Sequence, residues 1–348
     1  MYKAIIRPVL FLIDPEKVHH GVIFLLKLLA KIPGVRPGLT KCLNFRRKEL
    51  GTVIAGLNFS NKVGLAAGFD KNAEFFQECS MFGFSFVEIG TVTPLAQPGN
   101  PKPRLFRLPA DQALINRMGF NNKGVDYAVE RLLKRDKRLI IGGNIGKNTL
   151  TPNEKAADDY LYCFRKLYDS VDYLVINVSC PNIAGLERLQ DHDSLKEILD
   201  AIMLDRAQKQ VRKPVFLKIS PDLSWKQIDE TLELYHTSGL DGIIATNTTV
   251  SRTGLITARN QVNQKGNGGL SGKPLHNRTR EIVSYIYKQS SNSVPVIAAG
   301  GIMTPDDALE MIKAGASLVQ VYTGFIYEGP CVAKWMNKLI YQYLMKQS

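Results

Sequence analysis

The chain has 348 residues and a net charge of +13; 45% of its residues are hydrophobic and 22% charged, with 28 Gly and 17 Pro. These values lie near a globular average, so they exclude a mainly disordered or collagen-like chain and leave one large domain or two ordinary ones with ample core. Five cysteines (Cys42, Cys79, Cys163, Cys180, Cys331) without CxxC spacing, and five histidines without HExxH, exclude a disulfide framework and a zinc knuckle, point to a reducing compartment and offer no metal site.

The charge is concentrated at the start. Residues 1–50 hold ten Lys or Arg against three acids, more than half of the net charge, which points to an anionic partner, nucleic acid or a membrane surface. Tyr2 to Ile13 reads as a helix with Pro8 near its start. Asp14-Pro15-Glu16 reads as the start of a second, with Asp14 as N-cap and Pro15 in the first turn. The apolar run Val22–Ala30 is about nine residues with Lys27 inside, well short of the roughly twenty of a membrane span. It is followed by Lys31-Ile32-Pro33-Gly34 rather than by a small-residue cleavage site, which argues against cleaved secretion. Two short helices, apolar on one side and basic on the other, suit a membrane interface helped by anionic lipid; plain packing on the neighbouring domain is the alternative. Residues 1–40 therefore read as a helical extension, 41–60 as a linker and 61–348 as the main domain.

From residue 60 onward β-branched runs recur: Val63–Ala66, Phe86–Gly90, Leu139–Ile145, Tyr173–Ser179, Val215–Ile219, Gly242–Asn247, Pro295–Gly300 and Leu318–Tyr322. Helical patterns lie between several of them, at 123–135, 153–169, 194–209, 225–238, 276–289 and 305–314. Near-continuous apolar strands alternating with helices predict an α/β fold with a parallel sheet covered on both faces. Eight units in about 290 residues suit a (β/α)₈ TIM barrel. An open doubly wound sheet is the runner-up, but no GxGxxG follows the first strand.

Barrel active sites sit at the C-terminal ends of the strands. The residues found there are Ala67-Gly68-Phe69-Asp70-Lys71, Thr91, Asn144, Asn177, Lys218, Thr246-Asn247-Thr248, Gly300-Gly301 and Tyr322-Thr323-Gly324: amides, hydroxyls and two lysines, with no acid pair and no Ser-His-Asp arrangement. The glycines after strands seven and eight leave backbone N–H groups open where barrels commonly hold a phosphate. The lysines suit an anion, and the asparagines suit a planar heterocycle. In Asn177-Val178-Ser179-Cys180-Pro181-Asn182, the proline ends the strand just after Cys180, so the thiol is expected at the barrel mouth. With an ordinary pKa of about 8.5 it can act as base or nucleophile near neutrality.

The ordered set Leu65–Lys71, Glu88–Pro94, Gln97-Pro98-Gly99-Asn100, Asn116–Asn122, Asn144–Asn148, Asn177–Asn182, Ala245–Thr249, Gly268–Gly272 and Gly300-Gly301-Ile302 resembles the quinone-dependent, membrane-associated class of dihydroorotate dehydrogenases over nearly the whole chain. The resemblance implies oxidation of (S)-dihydroorotate to orotate with FMN in a (β/α)₈ barrel, a quinone as final acceptor, and a peripheral place on the cytoplasmic face of the cell (inner) membrane. Carried over residue by residue, it implies FMN contacts from Ala67, Gly68, Lys71, Thr91, Asn144, Asn177, Lys218, Thr246, Gly272, Gly301, Tyr322 and Thr323. It implies substrate contacts from Lys71, Asn116, Arg117, Met118, Gly119, Phe120, Asn177, Asn182, Asn247 and Thr248. Cys180 takes the role of base for the C5 proton, and Lys218 stabilises charge on the flavin. The Asp-Pro-Glu-x-x-His and Arg-Leu-Phe-Arg segments place His19 and Arg107 at the quinone, with Tyr322 between quinone and flavin.

One position departs from the pattern. The quinone class usually has serine as base and the soluble class cysteine; here it is Cys180, with Ser179 expected to face the other way by strand alternation. The extension and most motifs point to quinone. A soluble dehydrogenase using fumarate or NAD is the nearest rival. A barrel flavoprotein acting on RNA is a further one, but no basic-aromatic platform or added RNA-binding domain appears, so no nucleic-acid partner is expected. A non-catalytic membrane-surface protein is the last rival.

Overall fold

The computed structural model describes residues 1–179 and 189–347. Eight parallel strands close into a barrel: β1 (Val63–Asp70), β2 (Phe86–Val92), β3 (Ile140–Ile145), β4 (Tyr173–Asn177), β5 (Val215–Ile219), β6 (Gly242–Ala245), β7 (Val296–Ala299) and β8 (Leu318–Val321). Each pairs with the next in sequence, and Val319–Val321 of β8 against Val63–Leu65 of β1 completes the ring. All eight expected runs are barrel strands. The expected helical patterns at 225–238 and 276–289 match Trp225–Ser238 and His276–Gln289, and the other four hold shorter or slightly shifted helices.

The two-residue alternation of a strand sorts the barrel interior into layers. Phe86, Tyr173 and Phe216 fill the lowest layer and are fully buried. Their rings lie opposite Gly64, Gly142 and Gly242, where a Cβ would run into the aromatic ring. Two residues further up four of the strands, the positions become polar: Glu88, Asn144, Lys218 and Gln320.

The stretch 41–60, expected as a linker, carries the end of a helix and a hairpin, Thr52–Ile54 against Leu57–Phe59. Ala55 and Gly56 both have positive φ, as a tight two-residue hairpin turn requires. Phe59 of this hairpin meets Phe86 at 5.2 Å and closes the bottom of the barrel. A second addition, the antiparallel sheet Leu105–Leu108, Ala113–Asn116 and Gly269–Gly272, rises over the opposite mouth. Such three- and four-residue strands leave too short a pattern to stand out in the sequence.

The extension is helical. A π-turn at Tyr2–Ile6 runs into α1 (Arg7–Phe11), followed by α2 (Pro15–Ala30) and α3 (Val35–Leu43). Asp14 caps α2 as expected, its carboxylate accepting from the N–H groups of Glu16 and Lys17 at 3.1 and 3.0 Å. The extension is pinned above the barrel mouth. Tyr2 donates to the Ile326 carbonyl at 2.6 Å, Arg7 donates to that of Tyr327 at 3.0 Å, and Lys3 pairs with Glu328. Among the described residues no single helix is long and apolar enough to cross a membrane; α2 and α3 bend at 115° to each other.

Candidate active site

The C-terminal ends of the strands enclose a cavity of about 1030 Å³, its open mouth included. Of the residues expected at a cofactor, Ala67, Gly68, Lys71, Thr91, Asn177, Lys218, Thr246, Gly272, Gly301, Tyr322 and Thr323 line it; of those expected at a substrate, Asn116, Met118, Gly119, Phe120, Asn247 and Thr248 join them. Asn144 stands directly behind the wall. Cys180 and Asn182 lie outside the described residues.

Beneath the cavity runs one hydrogen-bonded chain. Glu88 is fully buried. Its two oxygens accept from the amides of Asn144 and Gln320, each at 2.7 Å, and the Lys218 ammonium lies 3.8 Å away. Asn144 Oδ1 then accepts from the Thr91 hydroxyl at 2.5 Å and from Asn177 Nδ2 at 3.1 Å. Asn177 Oδ1 accepts from Ser179 and from Asn247 Nδ2, both at 3.2 Å, and Asn247 also donates to Ser179 Oγ at 3.0 Å. A carboxylate only accepts, so Glu88 fixes which way each amide in the chain points. Sequence reading assigned no role to Glu88 or Gln320. The available signal was a charged or amide residue inside an apolar strand, two positions beyond an inward-facing side chain.

The far end of the cavity is built from glycines and hydroxyls. Gly272 and Gly301 have φ of +101° and +69°. A Cβ on Gly301 would overlap the His276 backbone. Ser271 and Thr323 share a hydrogen bond at 2.9 Å, and the helix Thr323–Glu328 starts there. Gly301→Val combines a strained left-handed conformation with this overlap. The expected outcome is folded protein that keeps less than a tenth of its bound cofactor, read by absorbance after desalting.

The Met118–Phe120 turn is held from behind. Gln97 donates to the carbonyls of Gly119 and Phe120, both at 3.1 Å, and Asn100 donates to those of Met118 and Arg117 at 3.1 and 2.9 Å. Arg117 itself stands away from the cavity: its guanidinium donates to the Pro103 carbonyl at 3.1 Å and covers the Phe106 ring. Arg104 ties this loop to the extension. It donates to the carbonyls of Pro98 at 2.6 Å and Asn100 at 3.0 Å, and makes a two-pronged pair with Glu16 of α2 at 2.8 and 3.2 Å. Burial opposes ionisation of Glu16, but Arg104 and Lys102 hold its carboxyl below the usual range.

His19 and Arg107 sit where the extension meets the barrel. His19 packs edge-on against Phe69 at 5.1 Å, and Phe69 packs edge-on against Tyr322 at 5.5 Å, so three rings lead from the extension to the cavity wall. Burial pushes the Tyr322 phenol up to about 12. Arg107 donates to the Ile13 carbonyl at 2.6 Å and stacks on Phe11 at 4.6 Å. Burial, then the nearby Lys71 and His20, depress the His19 imidazole from 6.5 to about 4. A basic group whose folded pKa is depressed contributes stability that is full above pH 6.5 and is lost as pH falls toward 4. At pH 5 the loss amounts to about 2 kcal/mol. Thermal melts at pH 7 and pH 5 should show His19→Phe losing less stability than the unmodified protein by about that amount.

The residues present suit FMN. The lining cations are Lys71 and Lys218, and no acid among the described residues lines the cavity. A glycine-and-hydroxyl cradle suits a phosphate. A plane of amides suits an isoalloxazine or pyrimidine ring.

The comparisons agree with this geometry. The family model for dihydroorotate dehydrogenase matches residues 49–344. A protein of Christiangramia forsetii named dihydroorotate dehydrogenase (quinone) is 49% identical over 340 residues, covering 98% of each chain. One of the same name from Nostoc punctiforme is 46% identical, covering 96% of this chain and 92% of its own. The crystal structure of DHODH in complex with ferulenol from Eimeria tenella superposes with a TM-score of 0.84 at 38% identity, covering 96% of this chain and 92% of that one.

Proposed function

The chain belongs to the dihydroorotate dehydrogenase family, and from that premise we propose that its cavity oxidises (S)-dihydroorotate to orotate in pyrimidine (UMP) biosynthesis, with FMN as cofactor and a quinone as final electron acceptor. The observation that carries this reading is the cavity itself: two lysines and the aligned amides of Asn116, Asn177 and Asn247 face a phosphate cradle across one barrel mouth. FMN held by these residues would supply the acceptor for the hydride from C6 of the substrate and the relay of its electrons onward.

The chain's residues do the rest. The amides of Asn116, Asn177 and Asn247 match the ring amides of dihydroorotate, and Lys71 matches its carboxylate. Asn247 donates to Asn177, and Asn116 donates to the Gly269 carbonyl, so these amides are oriented before substrate arrives, which reduces the reorganisation needed at reaction. Cys180 takes the C5 proton. The neighbouring Ser179 is a poor candidate for that step, because its hydroxyl already donates to Asn177 and accepts from Asn247. The Met118–Phe120 turn, braced by Gln97 and Asn100, covers the substrate and excludes water.

Quinone approaches through the extension. Its solvent side is unusually apolar: Ile5, Val9 and Leu12 around α1, and Phe24, Leu25 and Leu28 on α2, are all more than half exposed. On α2 these fall at i, i+1 and i+4, one stripe of a helix. With the surrounding Lys and Arg, this surface suits an anionic bilayer from which a quinone enters toward His19, Phe69 and Tyr322. Orotate formation measured with a short-chain quinone, fumarate or NAD tests the assignment. Turnover with quinone at least tenfold above the other two supports it; turnover confined to fumarate or NAD overturns the quinone part.

A further inference from the structure

We propose that Glu88 is the counter-charge of Lys218 and thereby holds down the reduction potential of the bound flavin. The inference rests on the FMN reading of the cavity. Lys218 lines the cavity floor and is almost completely buried; Glu88, fully buried, lies 3.8 Å from its ammonium and does not line the cavity. The lysine thus presents its charge to the ligand while the carboxylate neutralises it from behind. Accepting a hydride adds negative charge to a flavin ring. An uncompensated Lys218 would favour that state strongly in this dry site, and the electrons would then pass on less readily. Glu88 offsets the field and leaves the cofactor poised between donor and acceptor.

Charge, rather than hydrogen bonding, is what Glu88 alone supplies. The other neighbour of the Gln320 amide is the Tyr173 hydroxyl, which can donate or accept. In Glu88→Gln the Gln320 amide can turn over and accept from the new NH₂, while Asn144 keeps its acceptor. The chain that orients Asn144, Asn177 and Asn247 survives, and only the charge is gone.

The test is the midpoint potential of the bound FMN, with dihydroorotate and orotate as the equilibrating couple. Glu88→Gln should raise the equilibrium constant for flavin reduction about tenfold, ~30 mV for a two-electron couple. Lys218→Met should lower it, and the double variant should return to within about threefold of the unmodified protein. Glu88→Gln loaded with FMN but unchanged or lowered in potential overturns the role of Glu88 while leaving the FMN reading intact. If Glu88→Gln fails to hold FMN, the double variant decides: regained loading supports the counter-charge, and continued failure overturns it. Unmodified protein that cannot hold FMN overturns both readings.

Discussion

Cys180→Ala slows reduction of the bound flavin by dihydroorotate by a factor on the order of 10²–10⁴, the usual worth of a positioned base, while reoxidation by quinone keeps its rate. The two half-reactions separate because the thiol handles only the C5 proton. Cys180→Ser restores part of the rate and moves the rising limb of the pH profile upward, because a hydroxyl ionises far less easily than a thiol of pKa about 8.5. Ser179 cannot substitute: its hydroxyl already donates to Asn177 and accepts from Asn247. Stopped-flow absorbance at several pH values reads both effects. A Cys180→Ala protein that reduces its flavin at the original rate contradicts the assignment.

Arg104→Met has the largest expected effect on stability. It strips the two-pronged partner from Glu16, which is only 8% exposed, and frees the Pro98 and Asn100 carbonyls. Breaking a buried pair from one side commonly costs about 3–5 kcal/mol. Here about 2–3 kcal/mol is expected, because Lys102 still faces Glu16 at 3.3 Å. The Asn100 loop braces the Met118–Phe120 turn, and Glu16 lies three residues before His19. KM for dihydroorotate and for quinone should therefore rise together, several-fold each, with a smaller change in kcat. Chemical denaturation and steady-state kinetics check the two halves.

The barrel was legible because each strand is a β-branched run long enough to show against the helices, and the site because barrel chemistry gathers at strand ends. That logic brought Lys71, Asn177, Lys218 and Asn247 to one cavity from segments far apart in sequence. Family resemblance added Asn116 and the Met118–Phe120 turn, which no barrel strand end announces. It did not foresee that the Arg117 side chain leaves the cavity for Pro103 and Phe106, since direction within a turn depends on contacts across the fold. Nor were Glu88 and Gln320 assigned: Glu88 supports other residues from beneath the cavity, Gln320 stands in its wall, and their partnership across 232 positions leaves no local pattern. The hairpin at Thr52–Phe59 and the sheet over the mouth were missed for want of length. The docking of the extension through Tyr2, Arg7 and Glu16 was missed because each bond reaches a distant segment.

The most direct measurement is anaerobic. Purified protein is mixed with dihydroorotate, flavin absorbance is followed, and a short-chain quinone is then added. Rapid bleaching near 450 nm, on the order of one flavin per chain, followed by rapid return of colour with quinone is the expected result. Folded, FMN-loaded protein that does not bleach with dihydroorotate contradicts the central claim.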